Sequence, residues 1–571
     1  MPSLTPTLTR TIDEIFERYL ETGRAPGVAY GVILGGALVH AGGLGTVTVG
    51  LDARPDERSV FRIASMTKSF TAAAILLLRD RGMIRLDEPV STYVPEASAL
   101  RGTTADAPAV TVRHLLSMQG GLPTDDPWGD RLQDLDPAGF DALLAGGQTM
   151  AWTPGTQYEY SNLGYAILGR LITNVTGTVF DAFIGDELLG PVGMSQTVWR
   201  LDEVDAAHRS HGYVDVDGAW QEEPIQGHGA FAAMGGLFST IADLARWVGG
   251  YAEAWPPRDE PNGHPLARAS RREQQRPITT AGVALRPDHR GSLRAVADGY
   301  CLGLVSTEDL ELGRAVGHSG GYPGYGSHMR WHPSTGLGVV ALANGRYART
   351  EPAATDALAA LIAGGAAPYR RPRPHAAVAA AVADVERLLA SWDDALADRL
   401  FAPNVDLDEP LTRRRSAIEQ LVATHGPLRR GGEIEASTPT GAEWTLAGDR
   451  GHVRADLLLN AEVPPRVQAL GLVSVPTPSA ALEAAIGRVV AAINQAGDLD
   501  APAAAARLVR SAHPALAPCV VVSPVGGDGE TTTVFRVRGR QSDADLTVSV
   551  DASGALVDLE LEAIRPTRVD Y

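Results

Sequence analysis

At 571 residues the chain is longer than one ordinary hydrophobic core supports, so two or more domains are expected. With 44% apolar and 21% charged residues it has the composition of a folded chain rather than a disordered one. A formal net charge of −18 with no basic stripe argues against nucleic acid as a partner, and no apolar run reaches the roughly 18 residues of a membrane span.

In chain order, Thr7 to Thr22 reads as an amphipathic helix with Leu8, Ile12, Ile15, Phe16 and Leu20 on one stripe. Val28–Leu34 and Ala37–Ala41 read as a hairpin on the turn Gly35-Gly36. A long apolar helix is predicted from Ser65 to Arg81, ending at Gly82, with further helices at Val112–Met118, Ser161–Thr176 and Thr240–Tyr251. The stretch 252–295 is polar and rich in Pro and Arg, and reads as an inserted surface loop. Strands follow at Leu302–Val305, Leu310–Val316, Ser327–His332 and, after the turn Pro333-Ser334-Thr335-Gly336, at Leu337–Ala343. Strands at both ends around a helical middle predict one α+β domain over residues 1–365.

Gly, Pro and Arg interrupt the pattern over Gly364–Pro374, and 366–376 reads as a linker. Beyond it, 377–477 and 478–571 form a weak internal repeat. Each half opens with an amphipathic helix, Val378–Leu400 and then Ala480–Ala496, and adds a second helical piece. Each closes in antiparallel strands: His452–Leu459 and Val467–Val475, then Thr532–Arg538, Leu546–Val550 and Leu556–Ala563. That layout resembles the nuclear-transport-factor-like α+β fold. No cluster of catalytic residue types occurs there, so an accessory role or homo-oligomer formation is expected. The basic clusters Arg271-Arg272, Arg370-Arg371-Pro372-Arg373 and Arg413-Arg414-Arg415 read as solvated surface. Cys301 and Cys519 are the only cysteines and fall in different predicted domains, so neither a disulfide framework nor a thiolate metal site is expected. No metal or other cofactor is called for. No basic side chain precedes Arg10 and no apolar core follows it, so no export signal is recognisable and a cytoplasmic location is expected.

Of the 50 Lys and Arg residues, 49 are arginine; the single lysine is Lys68. Arginine replaces lysine freely on a solvated surface, but a guanidinium cannot give up its proton, so a lone lysine points to a proton-transfer role. It sits in Ser65-Met66-Thr67-Lys68, where a spacing of three brings both side chains to one helical face. The helix N-terminus adds backbone N–H groups and partial positive charge. A serine hydroxyl becomes a nucleophile when a base removes its proton. An amine with an ordinary pKa of about 10.4 can be that base only when its surroundings lower it.

A second triplet, Tyr160-Ser161-Asn162, offers a phenol to relay the proton and an amide to hold both the lysine and a substrate carbonyl. A third, His318-Ser319-Gly320, ends a strand and opens a glycine-rich segment through Gly321. Small residues there let a substrate backbone lie along an edge strand, with the N–H groups of Gly321 and Ser65 as an oxyanion hole. Each motif alone is common. His114 and His228 read as structural, and Asp125-Asp126-Pro127-Trp128 reads as a cleft rim or, for Trp128, a packed loop aromatic.

Together and in this order, the three motifs resemble the S-x-x-K, Y-x-N and K/H-x-G set of the β-lactamase-related serine hydrolases. The flanks agree: Phe61-Arg62-Ile63-Ala64, His114-Leu115-Leu116-Ser117 with Gly120-Gly121, and Gly235-Gly236-Leu237-Phe238-Ser239-Thr240. The resemblance covers about residues 8–365. It implies an α/β sandwich with an all-helical subdomain, the cleft between them, and acyl transfer through a covalent ester on Ser65. In class C β-lactamases the third motif begins with lysine; here it begins with His318, as in some DD-peptidases, D-aminopeptidases and family esterases. With no export signal, the expectation is an intracellular D-stereospecific peptidase, amidase or esterase acting on a small molecule or short peptide. A weak β-lactamase, or a catalytically silent hydrolase fold used as an interaction module, are the alternatives.

Overall fold

The computed structural model describes residues 3–100, 102–287, 293–309, 312–539 and 542–566. The chain divides into two compact units, Met1–Pro368 and Tyr369–Tyr571.

In the first unit, α1 (Pro6–Glu21) starts at Thr5, whose hydroxyl accepts from the Leu8 N–H, and buries Ile12, Ile15, Phe16 and Tyr19. The hairpin β1 (Gly27–Leu34) and β2 (Ala37–Gly45) turns on Gly35 and Gly36, both at positive φ (59° and 79°), the conformation a two-residue hairpin turn needs. Helix α2 (Thr67–Asp80) has every residue from Thr67 to Leu78 buried, so it is a core helix wrapped on all sides. Helix α3 (Asn162–Thr176) is capped by Ser161 and ends on Gly177 at φ 70°. Helix α4 (Ile241–Ala252) is capped by Thr240.

The remaining strands are β3 (Thr279–Pro287), β4 (Leu293–Tyr300), β5 (Val305–Asp309), β6 (Gly313–Tyr322), β7 (Tyr325–His332) and β8 (Leu337–Ala343), followed by α5 (Glu351–Ala363). They join the first hairpin in one eight-stranded antiparallel sheet, in the order β2-β1-β8-β7-β6-β5-β4-β3. Both ends of the segment therefore build the sheet, with β1 and β8 as its fully buried seam. On β1, Tyr30 stacks on Phe16 of α1 with ring centroids 4.0 Å apart. A β-carbon on neighbouring Gly31 would lie 2.4 Å from Ile241 of α4, so α1 and α4 cover opposite faces.

Four expectations need correction. The stretch 252–295 is not a surface loop: it holds the helix Arg268–Gln274, β3 and the start of β4. Its outer strand exposes Val283 and Leu285 (78% and 66%), so apolar residues stand where a half-buried strand would alternate, and no strand signal arises. Arg271 is buried rather than solvated. Its guanidinium donates to the carbonyls of Leu266 and Gly250 and to Asn262 Oδ1. In the strand expected at Leu310–Val316, residues 310 and 311 lie outside the described residues and the ladder runs on to Tyr322. Residues 302–304, expected in a strand, form the turn before β5.

The second unit has two cores, each with helices over its own antiparallel sheet. The first half carries helices including Ala376–Ala390 and Leu411–His425, with strands from Arg429 to Val475. The helix expected over Val378–Leu400 breaks at Ser391, because Asp393 accepts from the N–H groups of Ala395 and Leu396 and caps a new helix. The second half carries helices Ala480–Gln495 and Ala503–Leu516 and four strands from Val520 to Pro566. Arg536 joins the halves, pairing with Glu443 at 2.7 Å and with Asp545 at 2.5 Å.

Candidate active site

The approach to Ser65 is tightly specified. Phe61-Arg62 pairs with Phe238-Ser239, and the buried Arg62 donates from Nε to Gly235 O at 3.1 Å while its guanidinium lies 3.7 Å from the Tyr322 ring centroid. The next residues form a 3-10 turn, Ala64–Met66, in which Ala64 has φ 47°, unusual for a residue with a β-carbon. Ser65 is partly exposed between buried neighbours, one turn before α2 rather than within it.

Lys68 lies on the first turn of α2 with no solvent exposure. Its Nζ is 3.0 Å from Ser65 Oγ, 2.7 Å from Asn162 Oδ1 and 2.8 Å from Met234 O. Burial lowers its pKa to about 8, with Asp126, Asp130 and Asp125 pulling the other way. The ammonium also sits 4.8 Å from the Tyr160 ring centroid. Burial holds the Tyr160 pKa well above that of a free phenol, Asp126 pushing the same way and the contact with Ser65 opposing, so it keeps its proton.

Asn162 is the first residue of α3 and is fully buried. Its amide is oriented by two contacts: Oδ1 faces Lys68, and Nδ2 donates to Asp126 Oδ1 at 2.7 Å. Asp125 holds the start of α3, accepting from the N–H groups of Asn162 (2.6 Å) and Leu163 (2.9 Å) and from Ser161 Oγ (3.1 Å). The pair read as a rim is thus the support of Asn162. Trp128 is 43% exposed and makes an edge contact with Phe231.

His318 is buried on β6. Burial, then the Lys68 charge, push its pKa to about 3, so the ring is neutral. Nδ1 lies 2.6 Å from Ser319 O, which can only accept, so Nδ1 carries the proton and Nε2 accepts from Tyr300 O–H at 3.2 Å. Its ring centroid is 6.4 Å from that of Tyr160. At Gly320 a β-carbon would lie 2.2 Å from Ile63 O and 2.3 Å from Ser327 Oγ, so only glycine lets β6 approach the Ser65 turn. β6 is an interior strand, not the edge strand expected from the sequence. Its pairing with β5 stops at Gly317, however, so His318–Tyr322 has a strand partner on one side only among the described residues.

Ser65, Lys68, Tyr160, Asn162 and His318 are thus brought together from the 3-10 turn before α2, the first turn of α2, the entry to α3 and β6, with Gly320 against the Ser65 approach and Gly321 next to it. His114 and His228 lie apart: His114 completes a cap with Thr111, and His228 pairs with Asp181 at 3.1 Å. Sequence reasoning missed Tyr300 and the Met234 carbonyl. The Gly235-Gly236 flank was the only pointer to the latter.

The Beta-lactamase family model matches residues 12–364, most of the chain, and the chain belongs to this family of β-lactamase-related serine hydrolases. Among curated relatives, it is 26% identical over 350 residues to Protein flp of Staphylococcus aureus (strain MW2), covering 60% of this chain and 64% of that protein's length. It is 32% identical over 194 residues to Beta-lactamase-like protein 2 of Dictyostelium discoideum, covering 33% and 35% of the two chains. The fold is similar to that of the octameric penicillin-binding protein homologue from Pyrococcus abyssi, with a TM-score of 0.51 and 19% identity, over 97% of this chain and 98% of that one.

Proposed function

We propose that this protein hydrolyses an amide or ester through a covalent acyl ester on Ser65, and that its substrates are small D-configured peptides or amides, or short esters. The observation that carries this reading is Lys68 Nζ at 3.0 Å from Ser65 Oγ, fully buried and tuned to about 8. As a neutral amine, Lys68 donates its two N–H bonds to Asn162 Oδ1 and Met234 O, leaving its lone pair for the Ser65 proton. The Ser65 Oγ–carbon bond then forms as that proton moves to Nζ. The proton passes through the Tyr160 phenol to the leaving nitrogen or oxygen as its bond to carbon breaks. Water repeats the sequence on the ester and releases the acid.

The backbone N–H groups of Ser65 and Gly321 are the proposed oxyanion donors. The turn Tyr322-Pro323-Gly324-Tyr325 closes the β6–β7 ladder on the pair Tyr322–Tyr325. Gly321–Gly326 is the next pair, and in the alternating antiparallel pattern its N–H and C=O groups turn outward, toward the side without a strand partner. A neutral His318 supplies no positive charge for a β-lactam carboxylate, which favours the amide or ester reading over β-lactam hydrolysis. A panel of D-amino-acid amides, short p-nitrophenyl esters and nitrocefin, run on wild type and Ser65→Ala, tests both points. Turnover of nitrocefin alone contradicts the preference; equal turnover by Ser65→Ala contradicts the mechanism.

The solved neighbour is described as octameric, and we extend assembly to this chain as a homo-oligomer formed through residues 369–571. Light scattering on the full chain and on residues 1–368 tests it: a monomeric full chain, or an equally oligomeric shorter one, contradicts it.

A further inference from the structure

Tyr347 lies outside every sequence motif, yet its backbone is in the left-handed region, φ 48°, which costs a bulky residue about 1–2 kcal/mol. The surrounding turn holds it there. Ala348 N–H donates to Gly345 O at 3.1 Å, Arg346 N–H to Tyr213 O at 2.8 Å, and Tyr347 N–H to Tyr322 O at 3.1 Å. Just before it, the buried Asn344 accepts from Gly27 N–H at 2.7 Å and donates to Thr46 O at 3.1 Å. The ring so placed lies on Gly321, where a β-carbon would be 3.0 Å from Tyr347 Cδ1.

Its hydroxyl donates to Asp130 Oδ2 at 2.8 Å. Asp130 is buried, and its backbone carbonyl accepts from Tyr322 O–H at 2.7 Å. It belongs to the segment 125–132 that also supports Asn162 through Asp125 and Asp126. The tyrosine therefore spans from the sheet to the segment holding α3, beside the length of β6 that lacks a second strand partner. With 42% exposure, the outer side of the residue faces solvent. A strained, doubly anchored and half-exposed aromatic at this position needs a reason, and core packing does not supply one.

We propose that Tyr347 is a specificity-determining residue: a hydrogen-bonded bar across the Gly321 end of the cleft that limits the length of the substrate group lying along His318–Tyr322. The inference rests on the reading of Ser65 as nucleophile and narrows it to substrates with a short group on that side. Removing the bar lets a longer group run past Gly321 over Asp130.

The test compares kcat/KM for p-nitrophenyl acetate and octanoate in wild type, Tyr347→Gly and Tyr347→Phe. Glycine accepts φ 48° without strain, so the turn is kept while the ring is lost. The octanoate-to-acetate ratio is expected to rise at least ~10-fold in Tyr347→Gly, the scale on which a pocket wall discriminates chain length. A smaller rise is expected in Tyr347→Phe, which keeps the ring and loses the tether to Asp130. An unchanged ratio in a folded Tyr347→Gly overturns the proposal; if that variant does not fold, an unchanged ratio in Tyr347→Phe does so. A wild type that releases p-nitrophenol from neither ester and takes up no fluorophosphonate at Ser65 overturns the hydrolase reading, and this one with it. Labelling at Ser65 with an unchanged ratio overturns only the role of Tyr347.

Discussion

Replacing Asp126 with asparagine removes the strongest of the charges that hold the Lys68 proton, while leaving an oxygen to accept from Asn162 Nδ2. The two contacts in series, Lys68 to Asn162 and Asn162 to Asp126, are each 2.7 Å. They place the carboxylate within about 8 Å of the ammonium, where a unit charge is worth about 2 kcal/mol at an effective dielectric of 20, or roughly 1.5 pKa units. Asp126 is half-exposed, so solvent screening reduces this to about one unit. The sign is fixed: losing a neighbouring negative charge lowers the Lys68 pKa from about 8 toward about 7. The assay is the pH dependence of kcat/KM, which reports the free enzyme. In Asp126→Asn the acid limb should move down by about one unit, raising activity at pH 6.5 by several-fold and leaving the alkaline plateau in place. Stability follows the same linkage. A lysine with a depressed folded pKa leaves the unfolded chain holding more protons between pH 8 and about 10.5, so stability rises with pH across that window. Asp126→Asn should lower stability below pH 8 by about 1 kcal/mol, because the buried ammonium loses an attraction there. An acid limb that stays in place or moves up refutes the assignment of Lys68 as the base.

Lys68→Arg should give a folded protein with at least ~100-fold less turnover, since a guanidinium keeps its proton at working pH. In the native wild type, an amine-reactive label should modify the N-terminus and spare Lys68 until the chain is unfolded; ready labelling of the folded protein contradicts its burial. Gly320→Ala should lower the melting temperature and cut activity together. Its β-carbon would meet Ile63 O at 2.2 Å, backbone that cannot swing aside, and overpacking of this kind costs about 1–3 kcal/mol. A Gly320→Ala protein of unchanged stability and rate contradicts the close approach of β6 to the Ser65 turn.

Features of the site that depend on local spacing were visible in the sequence. Ser65 and Lys68 lie three residues apart at one helix start, Tyr160 and Asn162 flank a helix cap, and the lone lysine marked its own position without any alignment. What stayed hidden depends on distant contacts or on backbone atoms. Met234 holds Lys68 through a carbonyl, which no residue type announces. Asp130 and Tyr347 are 217 positions apart, and neither belongs to a short motif. Tyr300 reaches His318 from the end of a strand whose hairpin partner is largely exposed, so the segment lacked the alternation that marks a strand. Asp125 and Asp126 were visible as a pair beside a tryptophan. Their role in capping and orienting Asn162 needed the fold, because α3 begins 36 residues later.

The central claim is that Ser65 carries the acyl group, and intact-mass analysis after a fluorophosphonate or a slow ester tests it most directly. The account predicts one adduct per chain, mapping to the peptide that contains Ser65, absent in Ser65→Ala and formed far more slowly in Lys68→Arg. An adduct on any other residue, or an unlabelled wild type that still turns over substrate at a rate matched by Ser65→Ala, would contradict it.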